Sequence, residues 1–150
     1  MDKKNVENQT RLMNSIVFSS DKNIAFEKVF SLYENAGWAA YTSCPDVLKE
    51  AINQSLYLLT AWHGEQLVGL LRAVGDGLTI VYIQDIIVLD SFRRQGIGKN
   101  LISQTLDTFK NVRQILLLTD EHPDTIEFYE NAGLQQTKNL NLTSFIRLLP

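Results

Sequence analysis

The chain reads as an α+β protein, a mixed central β-sheet with helices on both faces, in the order β-α-α-β-β-β-α-β-α-β-β. Three observations predict this. Apolar residues recur at helical spacing in Phe26, Val29, Phe30 and Tyr33, and again in Ile97, Leu101, Ile102, Leu106 and Phe109. Tyr82 to Leu89 is rich in β-branched residues and reads as a buried strand. Two turn signals, His63-Gly64-Glu65 and Gly75-Asp76-Gly77, join consecutive strands into an antiparallel first part.

The elements follow in order. Residues 1–13 are polar and read as a flexible arm, and Ser15 to Ser20 as a short first strand. The helix of Phe26 to Tyr33 stops at Gly37, and Trp38-Ala39-Ala40-Tyr41 reads as a loop. Pro45 opens a second helix that turns Leu48, Ala51 and Ile52 inward. Leu56 to Trp62, Gln66 to Val74 and the strand ending near Leu89 form the antiparallel part. A helix follows, then a compact buried strand over Gln114 to Thr119. Pro123 starts a short helix that Gly133 ends, and strands are expected around Leu134 to Thr137 and Thr143 to Leu148. Without repeat, linker or low-complexity segment, residues 1–150 read as one domain.

Composition narrows the function. At 150 residues the chain is long enough for a real core, and 45% hydrophobic with 21% charged residues is ordinary for a soluble globular protein. A formal net charge of −3 argues against a nucleic-acid partner held by a broad basic face. Cys44 is the one cysteine, so no internal disulfide forms, and two histidines argue against a zinc site. No apolar run approaches a membrane span and the N-terminus lacks the apolar core of a signal peptide, so the expected location is cytoplasmic and no metal is expected.

Between the Tyr82–Leu89 strand and its helix lies Arg93-Arg94-Gln95-Gly96-Ile97-Gly98-Lys99, a basic glycine-bearing turn. Unpaired N–H groups, the positive end of the helix dipole and cationic side chains together suit a pyrophosphate. The P-loop pattern fails, because Gly98-Lys99 is followed by Asn100 and Arg93 stands five before Gly98. The dinucleotide pattern fails as well, because Gly96-Ile97-Gly98 runs on to Leu101.

The turn does fit [QR]-x-x-G-x-[GA], with Arg93, Gly96 and Gly98 in the fixed places. That pattern resembles the coenzyme-A signature of the GNAT superfamily of N-acetyltransferases. Phe128-Tyr129-Glu130-Asn131-Ala132-Gly133-Leu134 resembles the family's F-Y-x-x-x-G-[FL] segment. A third echo, Asp76-Gly77 followed by Tyr82 to Val88, is similar to a branch that includes plant-type arylalkylamine acetyltransferases. The element order matches over nearly the whole chain.

The resemblance implies transfer of acetyl from acetyl-CoA to a primary amine, small molecule or polypeptide, by direct attack in a ternary complex. It implies that Arg93, Arg94, Gln95, Gly96, Ile97, Gly98 and Lys99 hold the pyrophosphate, and that Ile86 and Ile87 align the pantetheine arm through the backbone. The Val88 N–H would stabilise the oxyanion and the Tyr129 hydroxyl would protonate the leaving thiolate, unless Tyr129 is a core residue. His122 falls where the family often places a cofactor-contacting asparagine, and reads either as that contact or as a helix cap. Asp85 is the only carboxylate on the central strand. Strand alternation sets it with Ile83 and Ile87, opposite Tyr82, Gln84, Ile86 and Val88, the register in which family members carry a base. Asp85 is therefore either a base, turned into the cleft by a β-bulge, or a structural hydrogen-bonder, with a water relay as the third option. Trp38, Tyr41 and Trp62 read as pocket lining or core. Rival readings are a non-catalytic acyl-CoA-binding module and a toxin-type acetyltransferase acting on aminoacyl-tRNA. A homodimer is compatible with all of them.

Overall fold

Glycine turns fold three successive strands onto one another, and the sheet is built outward from them. β2 (Tyr57–His63) and β3 (Gln66–Gly75) meet at Gly64, whose φ of 59° is left-handed. β3 passes to β4 (Ile80–Val88) through Gly75, where a Cβ would stand 2.3 Å from the Ile80 carbonyl oxygen. Asp76 closes this turn, its Oδ1 accepting from the N–H groups of Leu78, Thr79 and Ile80 at 2.8, 2.7 and 3.1 Å. These elements belong to a computed structural model that describes residues 3–150.

β1 (Ile16–Ser19) and β5 (Gln114–Leu116) complete a five-stranded sheet of order β1-β2-β3-β4-β5. Neighbours are antiparallel except β4 and β5, which run parallel. β3 is buried from Leu67 to Ala73, because both sheet faces are covered. One face takes α2 (Phe26–Asn35) and α4 (Pro45–Gln54), where Val29, Leu32, Tyr33, Leu48 and Ile52 pack on Leu58, Leu70 and Ile87. The other face takes α5 (Ile97–Thr108), with Ile97, Leu101 and Ile102 buried. Gly69 permits that approach, since a Cβ there would meet Ile97 Cγ2 at 3.1 Å.

The expected fold class holds, with corrections at the ends. Residues 3–13, read as an arm, belong to α1 (Lys3–Asn14), a helix with no buried residue; Met1 and Asp2 lie outside the described residues. No Pro or Gly interrupts that segment, so nothing local opposes a helix. Trp38 to Tyr41, read as loop, contains the start of a single helical turn, α3 (Ala39–Thr42). β5 is shorter than expected and half-buried, because it pairs only with Ile80, Val81 and Tyr82.

The single domain expected over 1–150 comprises two compact units, Met1–Leu118 and Thr119–Pro150. The second contains α6 (Pro123–Asn131), stopped at Gly133 with φ 96° as expected, and a 3₁₀ turn over Thr137–Leu140. The two final strands are absent. A segment with apolar residues on both faces is stable as a strand only when covered on both, and Phe145 here is 95% exposed.

Candidate active site

The basic turn is anchored at both ends. On its helical side Ile97 is buried against β3, which fixes the start of α5. On its strand side Arg93 Nε donates to the Val88 carbonyl at 3.3 Å and pairs with Asp90 Oδ1 at 3.1 Å. Between them Arg94 and Gly96 take left-handed φ of 59° and 87°. Glycine does so freely, whereas an arginine there stores strain of the kind found at ligand-clamping loops. The N–H groups of Ile97, Gly98 and Lys99 open α5 and have no intrahelical carbonyl to bond. With Arg93, Arg94 and Lys99 exposed around them, the donor set fits a phosphate-bearing ligand. Gln95 Nε2 ties back to the Ser91 carbonyl at 3.3 Å, while its buried Oε1 has no partner among the described residues.

β4 runs into this turn with one edge open. β5 covers Ile80 to Tyr82 only, so among the described ladders Ile83 to Val88 has no strand on that side. The Leu89 N–H donates to the Val68 carbonyl at 2.9 Å, on the β3 side. Because backbone groups alternate sides along a strand, those of Ile86 and Val88 face the open edge, and those of Ile87 face β3. The Val88 carbonyl agrees, being met by Arg93 and not by β3.

A β-bulge sits midway along that strand. Arg72 pairs with Asp85 but Ala73 with Ile83, so Gln84 is the extra residue. Asp85 is 3% exposed and surrounded by donors. Its Oδ2 accepts from Tyr33 Oη at 2.8 Å and Arg72 Nε at 2.7 Å, and its Oδ1 from Tyr41 Oη at 2.7 Å. Arg72, 6% exposed, also reaches Ser55 Oγ at 3.4 Å, and Lys22 Nζ donates to the Ser55 carbonyl. Burial, the largest single influence, would lower the Arg72 pKa, but the Asp85 charge and hydrogen bond, with Tyr33 and Tyr41 beside them, together outweigh it and raise the value. Burial, then the Asp85 charge and hydrogen bond, push Tyr33 well above its ordinary value. Burial and the bond to Asp85 raise Tyr41 as well. Outside this cluster, Trp62 Nε1 donates to Thr60 Oγ1 at 2.8 Å, while Trp38 stacks edge-on against Tyr33 with ring centres 5.9 Å apart.

The second unit holds the other two expected residues. His122 caps α6, its Nδ1 accepting from the Asp124 N–H at 3.3 Å, which is the cap reading. Tyr129 lies on the same helix; partial burial raises its pKa, against a lowering by Thr119. Among the described residues no cluster of His, Cys, Asp and Glu could hold a metal, and no helix is long and apolar enough to cross a membrane.

The family model described as an acetyltransferase (GNAT) domain matches residues 22–150. The chain belongs to the GNAT acetyltransferases. A GNAT-family acetyltransferase from Streptococcus pneumoniae superposes with a TM-score of 0.81 at 34% identity, covering 89% of this chain and 98% of that one. The histone acetyltransferase TAP1 of Glycine max is 28% identical over 134 residues, which are 82% of this chain. This chain spans 57% of that relative's length. An uncharacterized ycf52-like N-acetyltransferase of Prochlorococcus marinus is 26% identical, over 79% of this chain and 67% of its own.

In this GNAT domain, spacing along the chain assigns no role to Arg72 and gives Tyr33 only a place on the apolar face of a helix. A signal was present: Arg72 interrupts the apolar run Leu67 to Val74, and Asp85 interrupts the run on the next strand of the same hairpin. Two lone opposite charges on adjacent buried strands are each too costly unless paired.

Proposed function

We propose that this GNAT acyltransferase moves acetyl from acetyl-CoA to a primary amine, small molecule or polypeptide, by direct attack in a ternary complex. The observation that carries the reading is the open edge of β4 leading into the basic turn at the start of α5. Arg93 to Lys99 bind the pyrophosphate through helix N–H groups and cationic side chains. The pantetheine arm lies along β4 as an added strand, using the backbone groups of Ile86 and the Val88 carbonyl, while Ile87 supports the strand from β3. The amine nitrogen attacks the thioester carbon, a C–N bond forms and the C–S bond breaks. The oxyanion takes the Val88 N–H, and the proton lost by nitrogen is matched by one gained at sulfur from Tyr129. Three donors occupy Asp85, which suits it to holding Tyr33, Tyr41 and Arg72 in place and leaves the amine's first proton to water.

Thermal unfolding with ligands tests the donor. Acetyl-CoA at about a hundredfold over its dissociation constant should stabilise the fold by roughly 2.7 kcal/mol, and ATP or NAD should not. An equal shift with NAD, or none with acetyl-CoA, removes the assignment. Thiol release across a panel of primary amines then tests transfer.

A further inference from the structure

Two neutral hydrogen-bond acceptors meet where α3 lies against β4, Tyr41 from the helical turn and Gln84 from the strand, and the buried network assigns the proton between them. The single Tyr41 hydroxyl proton goes to Asp85 Oδ1 at 2.7 Å, so towards every other group the phenol oxygen is an acceptor. Gln84 Nε2 donates to that oxygen at 3.1 Å. This settles the orientation of the amide and leaves Gln84 Oε1 as a second acceptor with no partner among the described residues. In a regular strand Gln84 and Asp85 would point to opposite faces. The bulge at Gln84 brings both within reach of one phenol.

Tyr33 makes the matching bond to Asp85 Oδ2 but is fully buried, so its oxygen can meet no ligand. Tyr41 is half-buried and Gln84 is exposed. Gln84 is also two residues from Ile86, whose backbone faces the open edge of the same strand.

Resting on the function proposed above, we infer that Tyr41 and Gln84 are positioning residues that dock the acceptor nitrogen. One N–H of a primary amine donates to Tyr41 Oη and another to Gln84 Oε1, which leaves the nitrogen lone pair free for attack. Placing the Asp85 carboxylate one hydrogen bond behind the docking point has a chemical reason. A carboxylate in direct contact would favour the ammonium form, which has no lone pair, whereas neutral acceptors do so less. The substrate class follows: primary amines fit, secondary amines satisfy one acceptor, and quaternary ammonium ions satisfy neither.

The test uses n-butylamine as the probe with saturating acetyl-CoA, and compares wild type with Tyr41→Phe, Gln84→Met and Tyr33→Phe. Tyr41→Phe and Gln84→Met should each raise the amine KM about tenfold, the equivalent of one hydrogen bond, with acetyl-CoA affinity unchanged. Tyr33→Phe removes an equal bond to Asp85 from the buried side, so it should lower thermal stability and leave the amine KM alone. Tetramethylammonium should not compete. Unchanged KM in both Tyr41→Phe and Gln84→Met overturns the inference, as does an equal rise in Tyr33→Phe, while the proposed function stands. A wild type that binds acetyl-CoA but acetylates no primary amine overturns both.

Discussion

Asp85 shows how much a single side chain can organise. Its two oxygens accept from two tyrosines and an arginine drawn from three different elements, α2, α3 and β3. Asp85→Ala should therefore cost about 3–5 kcal/mol in urea unfolding, because it strands the buried Arg72 charge. A loss under about 1 kcal/mol would mean that water compensates the guanidinium. Tyr129 is the contrasting case, a residue tested by rate. A tyrosine hydroxyl is protonated at neutral pH even at its ordinary value, as a donor to a thiolate must be, and partial burial shifts Tyr129 further upward. Tyr129→Phe should lower kcat by about 10²–10⁴-fold with acetyl-CoA affinity kept. Full turnover in that variant on a verified amine retires Tyr129 as the acid. The motif around Tyr129 was legible from the sequence, since its signal is local spelling. Of the Asp85 partners only Arg72 left a trace, a lone opposite charge on the neighbouring strand; Tyr33 and Tyr41 left none, because α2 and α3 bring them in by packing.

At the scale of the element, β4 has two different edges. Against β3 it is a ladder partner interrupted only at the Gln84 bulge; on the other side no strand pairs with it beyond Tyr82 among the described residues. Proline substitution separates the edges, because proline deletes one N–H and is tolerated where that group is not in a ladder. Val88→Pro should keep the fold and lower kcat by about 10²–10³-fold, the usual effect of losing one oxyanion donor. Ile87→Pro should instead break a β3 bond and lower the melting temperature. If Val88→Pro retains wild-type kcat, the oxyanion is held by another group, and the Ile86 N–H is the next donor along the same edge. The strands expected after α6 failed for a reason on this scale too. A short apolar run has β-propensity, but a strand needs a partner, and propensity does not supply one.

At the scale of the whole molecule, the buried tyrosines set an alkaline limit. Burial first, then the Asp85 charge, hold Tyr33 above its ordinary value of 10.0. The folded protein keeps that proton where the unfolded chain releases it. The stability this adds is whole below pH 10 and declines as pH rises beyond it, by up to about 1.4 kcal/mol per pH unit. Denaturation midpoints followed from pH 8 to 11 should fall less steeply in Tyr33→Phe than in wild type, and equal slopes would show that other groups set the limit. Family membership, the antiparallel order of the middle strands and the basic turn were settled by the sequence alone. Each depends on spacing along the chain: glycines at fixed offsets, apolar periodicity, turn residues between strands. The open edge of β4, the bulge at Gln84 and the burial of Arg72 with Asp85 were decided by the tertiary structure. They depend on which strand lies beside which and where a register slips by one residue, and those are relations between segments that no local pattern encodes.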